Sequence, residues 1–213
     1  MFGKFNYLRN KIQDFVLRGQ AFAPVTPLYM GLLTCTNGEI ARSTTYAVGN
    51  TAVIQTSDDT YHLYAVTAQT GATAAAAPAF PGVENEVITD GGVTWTEQSA
   101  GLRAGTAAVE PAGGAYARAS VASTMTEWSG TQGAGTTVAS TGTTGQISNN
   151  VAIPFPTSTA AWAASPAMIW GFALWDAASA GNGYYFGPLA TPQNVGSGVT
   201  PSFANGTLTV TEK

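Results

Sequence analysis

Apolar residues near the N-terminus recur at the spacing of a helix, whereas the rest of the chain shows the shorter patterns of β-strands. Between residues 4 and 18, the apolar residues that share one side are Phe5, Leu8, Ile12, Phe15 and Val16. Charged residues fill the opposite side, and Gly19 follows directly. Because apolar residues three and four positions apart line one helix face, and glycine readily ends a helix, this spacing predicts one amphipathic helix over residues 4–18.

Two longer apolar runs have the character of buried strands. Residues 28–34 form the first, and residues 168–175 form the second, a nearly continuous run predicted to be the central strand of a sheet. Shorter runs lie between Gly, Pro and Asn turns at residues 116–121, 151–155, 184–187 and 208–210. The Gly- and Thr-rich residues 130–146 are predicted to be a long exposed loop. Together these patterns predict a mainly β fold, an antiparallel β-sandwich or jelly-roll with one N-terminal amphipathic helix.

Residues 40–99 have the pattern of a small β module inserted into this larger domain. The tripeptide Asp90-Gly91-Gly92 separates two short apolar runs, which is a tight-hairpin signal because glycine adopts positive φ without a steric penalty. We therefore predict a discontinuous β-sandwich domain formed by residues 1–39 plus 100–213, with an inserted small β domain at residues 40–99.

Charge is scarce along the chain and unevenly placed. Only 9% of the residues are charged, against about a quarter in ordinary globular proteins, and between residues 129 and 211 the only charged side chain is Asp176. Because low charge promotes association, we expect the surface of this region to be buried against neighbouring subunits; a neutral soluble monomer is the alternative. The formal net charge of −4 argues against nucleic acid as a partner, since that role needs a basic face.

Two further features narrow the class of protein. No stretch of about 18 consecutive apolar residues is present, and the N-terminal residues lack the apolar core of a secretory signal peptide, so we expect neither a membrane span nor secretion. The single cysteine, Cys35, leaves no partner for an intrachain disulfide and is expected to be a buried thiol.

The titratable residues do not form a catalytic pattern. His62 is the only histidine, and we interpret it as a surface position of a strand rather than a general base. Asp58 and Asp59 are typical of a turn, and the acidic residues between 84 and 90 lack the spacing of a calcium loop. The chain also lacks a nucleophile elbow and a phosphate-binding glycine loop. We therefore predict no enzyme activity, no cofactor and no bound metal.

The aromatic residues of the inserted module pose the sharpest functional question. Tyr61, Tyr64, Phe80 and Trp95 all fall within it, and exposed aromatic faces bind sugars in many small β modules. A module of this size also has few other large apolar groups from which to build a core. These aromatic residues therefore have two possible roles. They form the hydrophobic core of the module, which we favour, or they form a ligand platform for carbohydrate.

The sequence resembles virion proteins of tailed bacteriophages in two places. The series Tyr46-Ala47-Val48-Gly49, Tyr61-His62-Leu63-Tyr64, Pro78-Ala79-Phe80-Pro81 and Thr89-Asp90-Gly91-Gly92-Val93-Thr94-Trp95 resembles small β modules that recur inside such proteins. The flanking parts resemble a phage structural family commonly labelled tail-fibre proteins, similar members of which serve as capsid decoration proteins. The pieces that carry this second resemblance are Pro27-Leu28-Tyr29-Met30-Gly31, Gly114-Ala115-Tyr116-Ala117-Arg118, Ile153-Pro154-Phe155-Pro156, Ile169-Trp170-Gly171-Phe172 and Phe186-Gly187-Pro188-Leu189.

The resemblance implies a structural protein of the virion, assembled in the host bacterial cytoplasm and exposed on the particle surface. The favoured interpretation is a capsid decoration (cement) protein that binds the major capsid protein as a homo-oligomer, a trimer, because the chain lacks the long repetitive shaft of a fibre. The alternative is a tail or tail-fibre component that contacts tail subunits and binds host-surface carbohydrate through the inserted module. A secreted hydrolase accessory domain is a remote third reading. The residues expected to make assembly contacts are Phe5, Leu8, Ile12 and Phe15.

Overall fold

The fold consists of short antiparallel strands with two helices. The computed structural model describes residues 3–23 and 25–211. The helices are α1 (Asn6–Arg18) and α2 (Ser99–Ala104). The strands are β1 (Gly3–Lys4), β2 (Leu28–Cys35), β3 (Thr51–Gln55), β4 (Tyr61–Gln69), β5 (Val87–Asp90), β6 (Val93–Glu97), β7 (Ala119–Val121), β8 (Gln146–Ser148), β9 (Ile153–Pro154), β10 (Met168–Trp175), β11 (Gly183–Gln193), β12 (Ser202–Phe203) and β13 (Thr209–Thr211). Every pairing between these strands is antiparallel, which confirms the predicted mainly β fold with an N-terminal helix.

The largest sheet has five strands in the order β1-β11-β10-β2-β7. Its middle strand is β10, as predicted, and β2 pairs with it in a register that sets Leu32 opposite Phe172. Both faces of β10 are buried, because Phe172 and Leu174 point into one core cluster while Trp170 and Trp175 point into another. A strand buried on both faces needs apolar side chains at successive positions rather than alternate ones. This is the physical reason for its nearly continuous apolar run.

One face of this sheet is covered by α1 and by two small strand pairs, β9 with β12 and β8 with β13. Leu8 of α1, Phe155 and Leu208 all belong to the core on that side. Residues 130–146, predicted as a loop, contain turns and a single bridge between Gly130 and Gly133 before β8 begins at its end.

The four strands β3, β4, β6 and β5 form a second sheet, in the order β3-β4-β6-β5. The predicted hairpin is present, because Asp90 of β5 pairs with Val93 of β6 and Gly91 adopts a φ of +63°. A Cβ atom on Gly92 would lie 2.4 Å from the backbone nitrogen of Gly71, so only glycine permits the neighbouring chain to approach this closely.

Residues of this second sheet take part in two cores. One face packs around Tyr64 and Trp95 in a cluster of its own, whereas Val53 and Leu63 on the other face join Leu33 and Trp170 of the five-stranded sheet. The two sheets therefore stack on each other. The division into an inserted domain at residues 40–99 and an outer domain stays a prediction, since the stacking itself does not tell whether either part folds alone.

Helix α1 confirms the predicted N-terminal helix and ends, as expected, with Gly19 in the left-handed conformation at a φ of 65°. Helix α2 was not predicted, because it is only six residues long and contains Gly101. Within the described residues, neither helix combines the length and the apolar character that crossing a bilayer requires.

Candidate functional site

The aromatic residues of the four-stranded sheet mainly build its core. Trp95 and Tyr64 are 0% exposed and Phe80 is 8% exposed. The ring of Trp95 packs edge-on against Tyr46 at 5.0 Å between centroids, and Tyr64 packs in the same way against Phe80 at 5.1 Å. These rings match the core interpretation, and for these three residues to serve as a carbohydrate platform they would have to leave that core.

The buried hydroxyl of Tyr64 has its own partner. It donates a hydrogen bond of 2.5 Å to Oε1 of Glu86, which also accepts from the backbone nitrogen of Gly82 at 3.1 Å. Burial first, and then this bond to a carboxylate, raise the pKa of Tyr64. The phenol therefore stays neutral and ties the loop before β5 to the sheet.

Tyr61, the fourth residue of the predicted platform, lies elsewhere. It is half-buried and faces a cleft of about 320 Å³ between the turn that joins β3 to β4 and the end of the chain. Two further aromatic residues line this cleft, Phe172 and Phe203, together with polar side chains, which are those of Asp59, Thr60, Thr207 and Thr209. The Tyr61 hydroxyl donates to Oε1 of Glu39 at 2.7 Å, which, together with burial, raises the pKa of Tyr61. The structure thus separates Tyr61 from the other three aromatic residues.

His62 and Glu97 form a buried pair. The interpretation of His62 as a surface position is wrong, because the residue is only 5% exposed beneath Gly82 and the turn between β3 and β4. Its Nδ1 atom lies 3.1 Å from Oε1 of Glu97, which is 0% exposed. The Nε2 atom points towards Oδ2 of Asp58 at 3.5 Å and makes no hydrogen bond among the described residues. Sequence reasoning missed this pair, since Glu97 lies 35 positions away from His62.

The carboxylate of Glu97 is satisfied by several donors. It accepts hydrogen bonds from the backbone nitrogen of Asn85 at 3.2 Å, from that of Ser99 at 2.9 Å and from the Ser99 hydroxyl. Burial would raise the pKa of Glu97, but the bonds from His62, Ser99 and Asn85 outweigh it and hold that pKa below its ordinary value. Asp58 follows the same logic, because hydroxyl donors from Thr56 and Thr60 lower its pKa against the effect of burial.

This arrangement holds structure together and does not have the geometry of a nucleophilic site. The Ser99 hydroxyl donates to the carboxylate of Glu97, and the lowered pKa of that carboxylate makes it a poor base for activating the hydroxyl. Ser99, His62 and Glu97 are all buried. The three groups fasten α2 to β4 and β6, where Ser99 is the first helical residue.

Other acidic residues of the module are engaged by separate partners. Asp90 is 1% exposed and accepts from Nη1 of Arg42 at 2.7 Å and from the backbone nitrogen of Ala74 at 3.0 Å. Glu84 pairs with Arg103 on α2. These contacts fix the loops that surround the sheet, and the described residues contain no group of three or more His, Cys, Asp or Glu side chains arranged to hold a metal ion.

A second ion pair organises the five-stranded sheet. Arg118 donates from Nε and Nη2 to Oε2 of Glu110, at 2.9 Å and 2.5 Å, and from Nη1 to the carbonyl oxygens of Ala177 and Ala180. Its guanidinium also lies 4.2 Å from the centre of the Trp175 ring. With its three nitrogens bonded to fixed acceptors and its plane set against an aromatic ring, Arg118 clamps the segment before β7 to the turn after β10.

The expected assembly contacts divide into two groups. Phe5 and Leu8 are 3% and 5% exposed and pack into the protein's own cores, with Ile12 half-buried beside them. Phe15 is 57% exposed and points away from the sheet. Most of the predicted stripe therefore fastens the helix to its own chain, and only its last turn is available to a partner.

Comparison with known proteins places the chain among phage proteins. A family model described as podophage GP4 fiber I protein gp80 matches residues 95–211, which span β6 to β13. No curated protein matches the chain significantly.

Proposed function

This chain belongs to the podophage GP4 fiber I protein gp80 family, and from that membership we propose that it is a structural subunit of a phage tail fibre. The observation that carries the proposal is the family match itself, which covers more than half of the chain and most of the five-stranded sheet. The protein is accordingly a virion component. Its location in the tail fibre is the proposal that the experiments below test.

The surface of the matched region supports a role inside an assembly. Asp176 is the only charged residue between positions 129 and 211, and it accepts bonds within its own turn from the backbone and side-chain nitrogens of Asn182. A surface so poor in charge is poorly suited to a solitary protein in water and well suited to burial against other subunits. We expect the contacts with neighbouring tail subunits to be made there.

The carbohydrate-binding part of the proposal rests on the cleft beside Tyr61. It joins an aromatic ring from the module to a second ring, Phe203, from the last part of the chain, with Asp59 and the hydroxyl groups of Thr207 and Thr209 at its edge. In such a site, an aromatic ring stacks on the face of a sugar, and nearby carboxylate and hydroxyl groups form hydrogen bonds with the sugar's hydroxyl groups. We propose this cleft, in place of the four-aromatic platform, as the contact for host-surface carbohydrate.

A capsid decoration protein is the second candidate. The observation in its favour is the compact arrangement of short strands, in which the longer of the two described helices has only 13 residues. Fibre shafts are commonly built from long repeats, and the described residues contain no such repeat. On this reading, the same uncharged surface would lie against the major capsid protein.

The location and the copy number on the particle distinguish the two candidates. Antibody labelling of purified virions by electron microscopy should mark the tail, and quantitative electrophoresis should give a few copies per particle. Labelling spread over the head, with hundreds of copies, would reject the fibre proposal in favour of decoration.

The cleft is tested by binding of the purified protein to polysaccharide extracted from host cells. Tyr61→Ala and Phe203→Ala should each weaken binding at least tenfold, and Tyr61→Phe should preserve it because the ring remains. Phe22→Ala, which alters a half-buried aromatic residue that packs against the same core as Phe203 but does not line the cleft, is the matched control. Equal binding by all four variants, each shown to be folded by thermal unfolding, would exclude the cleft.

A further inference from the structure

The last turn of α1 carries three consecutive exposed apolar side chains. Phe15, Val16 and Leu17 are 57%, 67% and 79% exposed, so they cover no core of their own chain. Isolated exposed apolar residues are ordinary, but a contiguous set on a rigid helix end marks an interaction surface. We name these three residues the helix tip.

The same chain also contains a groove of complementary character. A space of about 440 Å³ opens between the five-stranded sheet, the β8–β13 pair and the loop at residues 130–146. Its apolar lining comes from Leu28, Met125, Trp128, Val138, Ile147 and Val210, and none of the described residues that line it is charged. Met125 and Val138 are themselves 57% and 62% exposed. We name this space the apolar groove.

We propose that the helix tip of one copy inserts into the apolar groove of a second copy and so joins copies of this chain head to tail. This contact depends only on the helix tip and the apolar groove, and not on the assignment to a tail fibre. It predicts how the purified chain associates with itself. It would hold equally for a subunit of the tail or of the head.

Charge at the edges of the two surfaces favours a second copy as the occupant. Arg18 follows the tip directly, and its one ion pair is with Asp14, an exposed pair of the kind that contributes little. Glu127 does not line the groove itself, but it lies in sequence between Met125 and Trp128, which do, and it makes no ion pair within residues 3–23 and 25–211. Docking of the tip would bring a cation to the side of the groove that carries this unpaired carboxylate.

Rigidity also favours the tip as the inserted element. The helix is closed by Gly19, whose backbone nitrogen donates to the carbonyl oxygen of Asp14, and it is fastened to the sheet by Leu8. A preformed helix end loses little conformational freedom when it docks. Because tip and groove are different surfaces, one contact leaves a free tip and a free groove, which further copies fill in a closed ring or an open filament, or which the same two copies fill reciprocally in a two-fold dimer.

Measurement of the mass of the purified protein by light scattering over a range of concentrations tests the proposal. The wild-type chain should form oligomers, and Leu17→Asp and Val138→Asp should each be monomeric, because either change places a charge in the apolar contact. Val48→Asp, at a valine that is 64% exposed in the module, is the matched control and should behave as wild type. A wild-type protein that is monomeric at every concentration would overturn the proposal.

Mixing the two variants gives a sharper result. The Leu17→Asp chain retains an intact groove and the Val138→Asp chain retains an intact tip, so an equimolar mixture should form a dimer and nothing larger. If the mixture stays monomeric, or if Leu17→Asp alone dissociates the oligomer while Val138→Asp does not, the tip contacts something other than the groove.

Cross-linking identifies the contact directly. The native Cys35 is 2% exposed, so the wild-type chain supplies a background without accessible thiols. Under mild oxidation, Leu17→Cys and Val138→Cys chains should form a disulfide-linked pair when mixed, and neither should link to itself at a comparable rate. Linking of Leu17→Cys chains to one another would show that tips meet tips, and would reject the groove.

Discussion

The imidazole Nδ1 of His62 lies 3.1 Å from the carboxylate Oε1 of Glu97 in a place where His62 is 5% exposed and Glu97 is not exposed at all. An ionised carboxylate can only accept hydrogen bonds, so the proton between them belongs to Nδ1. Because Glu97 also accepts from Ser99 and Asn85, the pair connects β4, β6, α2 and the loop before β5.

Replacement of His62 should destabilise the protein through the buried carboxylate of Glu97 that it leaves behind. In His62→Ala, the buried carboxylate of Glu97 loses one donor and keeps its charge, and losing a hydrogen bond to a charged group costs about 1.5–3 kcal/mol. Chemical denaturation of the variant should show this loss. Asp59→Asn is the control, since Asp59 is exposed in the same turn and asparagine tolerates its φ of 59°. Equal stability of His62→Ala and wild type would mean that the pair is not formed.

Acid should weaken the fold through the same carboxylate. The folded-state pKa of Glu97 lies below its ordinary value of 4.5, so its contribution to stability is present above that value and is lost as the pH falls through the lower folded-state pKa. Asp58, whose pKa is also lowered, acts in the same direction. The free energy of unfolding should therefore decline below about pH 5. Glu97→Gln should be less stable at neutral pH and show a shallower decline, and an unchanged slope would assign the acid sensitivity to other groups.

The Arg118 clamp should not tolerate lysine. Lysine keeps the charge but cannot reach Glu110 and the two alanine carbonyls together, and Glu110 is only 17% exposed on its side chain. Arg118→Lys should lower the unfolding free energy by about 2 kcal/mol or more, in the range of lost charged hydrogen bonds. Arg18→Lys, at the exposed pair with Asp14, should change it by less than about 0.5 kcal/mol. Urea titration of both variants makes the comparison.

Two leucines of α1 should report different roles. Leu8→Ala removes a side chain that is buried against the sheet, and should cost about 2–5 kcal/mol of stability. Leu17→Ala removes one that is 79% exposed, and should leave the unfolding of the isolated chain within about 0.5 kcal/mol of wild type. A large loss for Leu17→Ala, measured on monomer, would mean that the helix end packs on its own chain in solution.

Retention on the particle should resist salt. Attachment through a surface that contains only Asp176 over more than eighty positions depends on apolar burial, which salt does not screen. Washing virions in 1 M NaCl shortens the Debye length from about 10 Å at 0.1 M to about 3 Å and should leave the protein bound. Moderate urea should release it. Release by salt alone would identify the basic residues of α1 as the anchor.

The sequence predicts well those elements whose apolar pattern is compatible with only one type of secondary structure. The sequence predicts a helix over residues 4–18 and strands over residues 28–34 and 168–175, and the structure has all three. Their apolar spacing reflects local geometry together with burial. The hairpin at Gly91 follows from a backbone conformation that few other residues adopt.

The candidate site was harder to predict, because its properties depend on what covers each strand. His62 lies in a strand whose sequence does not show what covers it, whereas in the structure Gly82, Asp58 of the turn between β3 and β4, and Glu97 all lie against its ring. The aromatic residues posed the same difficulty, since Tyr61 and Tyr64 lie on one strand, three positions apart, yet only the first borders a cleft. Single-strand patterns carry no information about those distant partners.

The stacking of the two sheets has a consequence for how this chain can evolve. Val53 and Leu63 share a core with Leu33 and Trp170, so the four-stranded and the five-stranded sheets must fit each other at that surface. Recombination between phages that exchanged residues 40–99 alone would bring in side chains that had evolved to pack on a different sheet. Those side chains would fit poorly around Trp170. We therefore expect the module to diversify along its outward loops while its inner face is inherited together with the sheet beneath it.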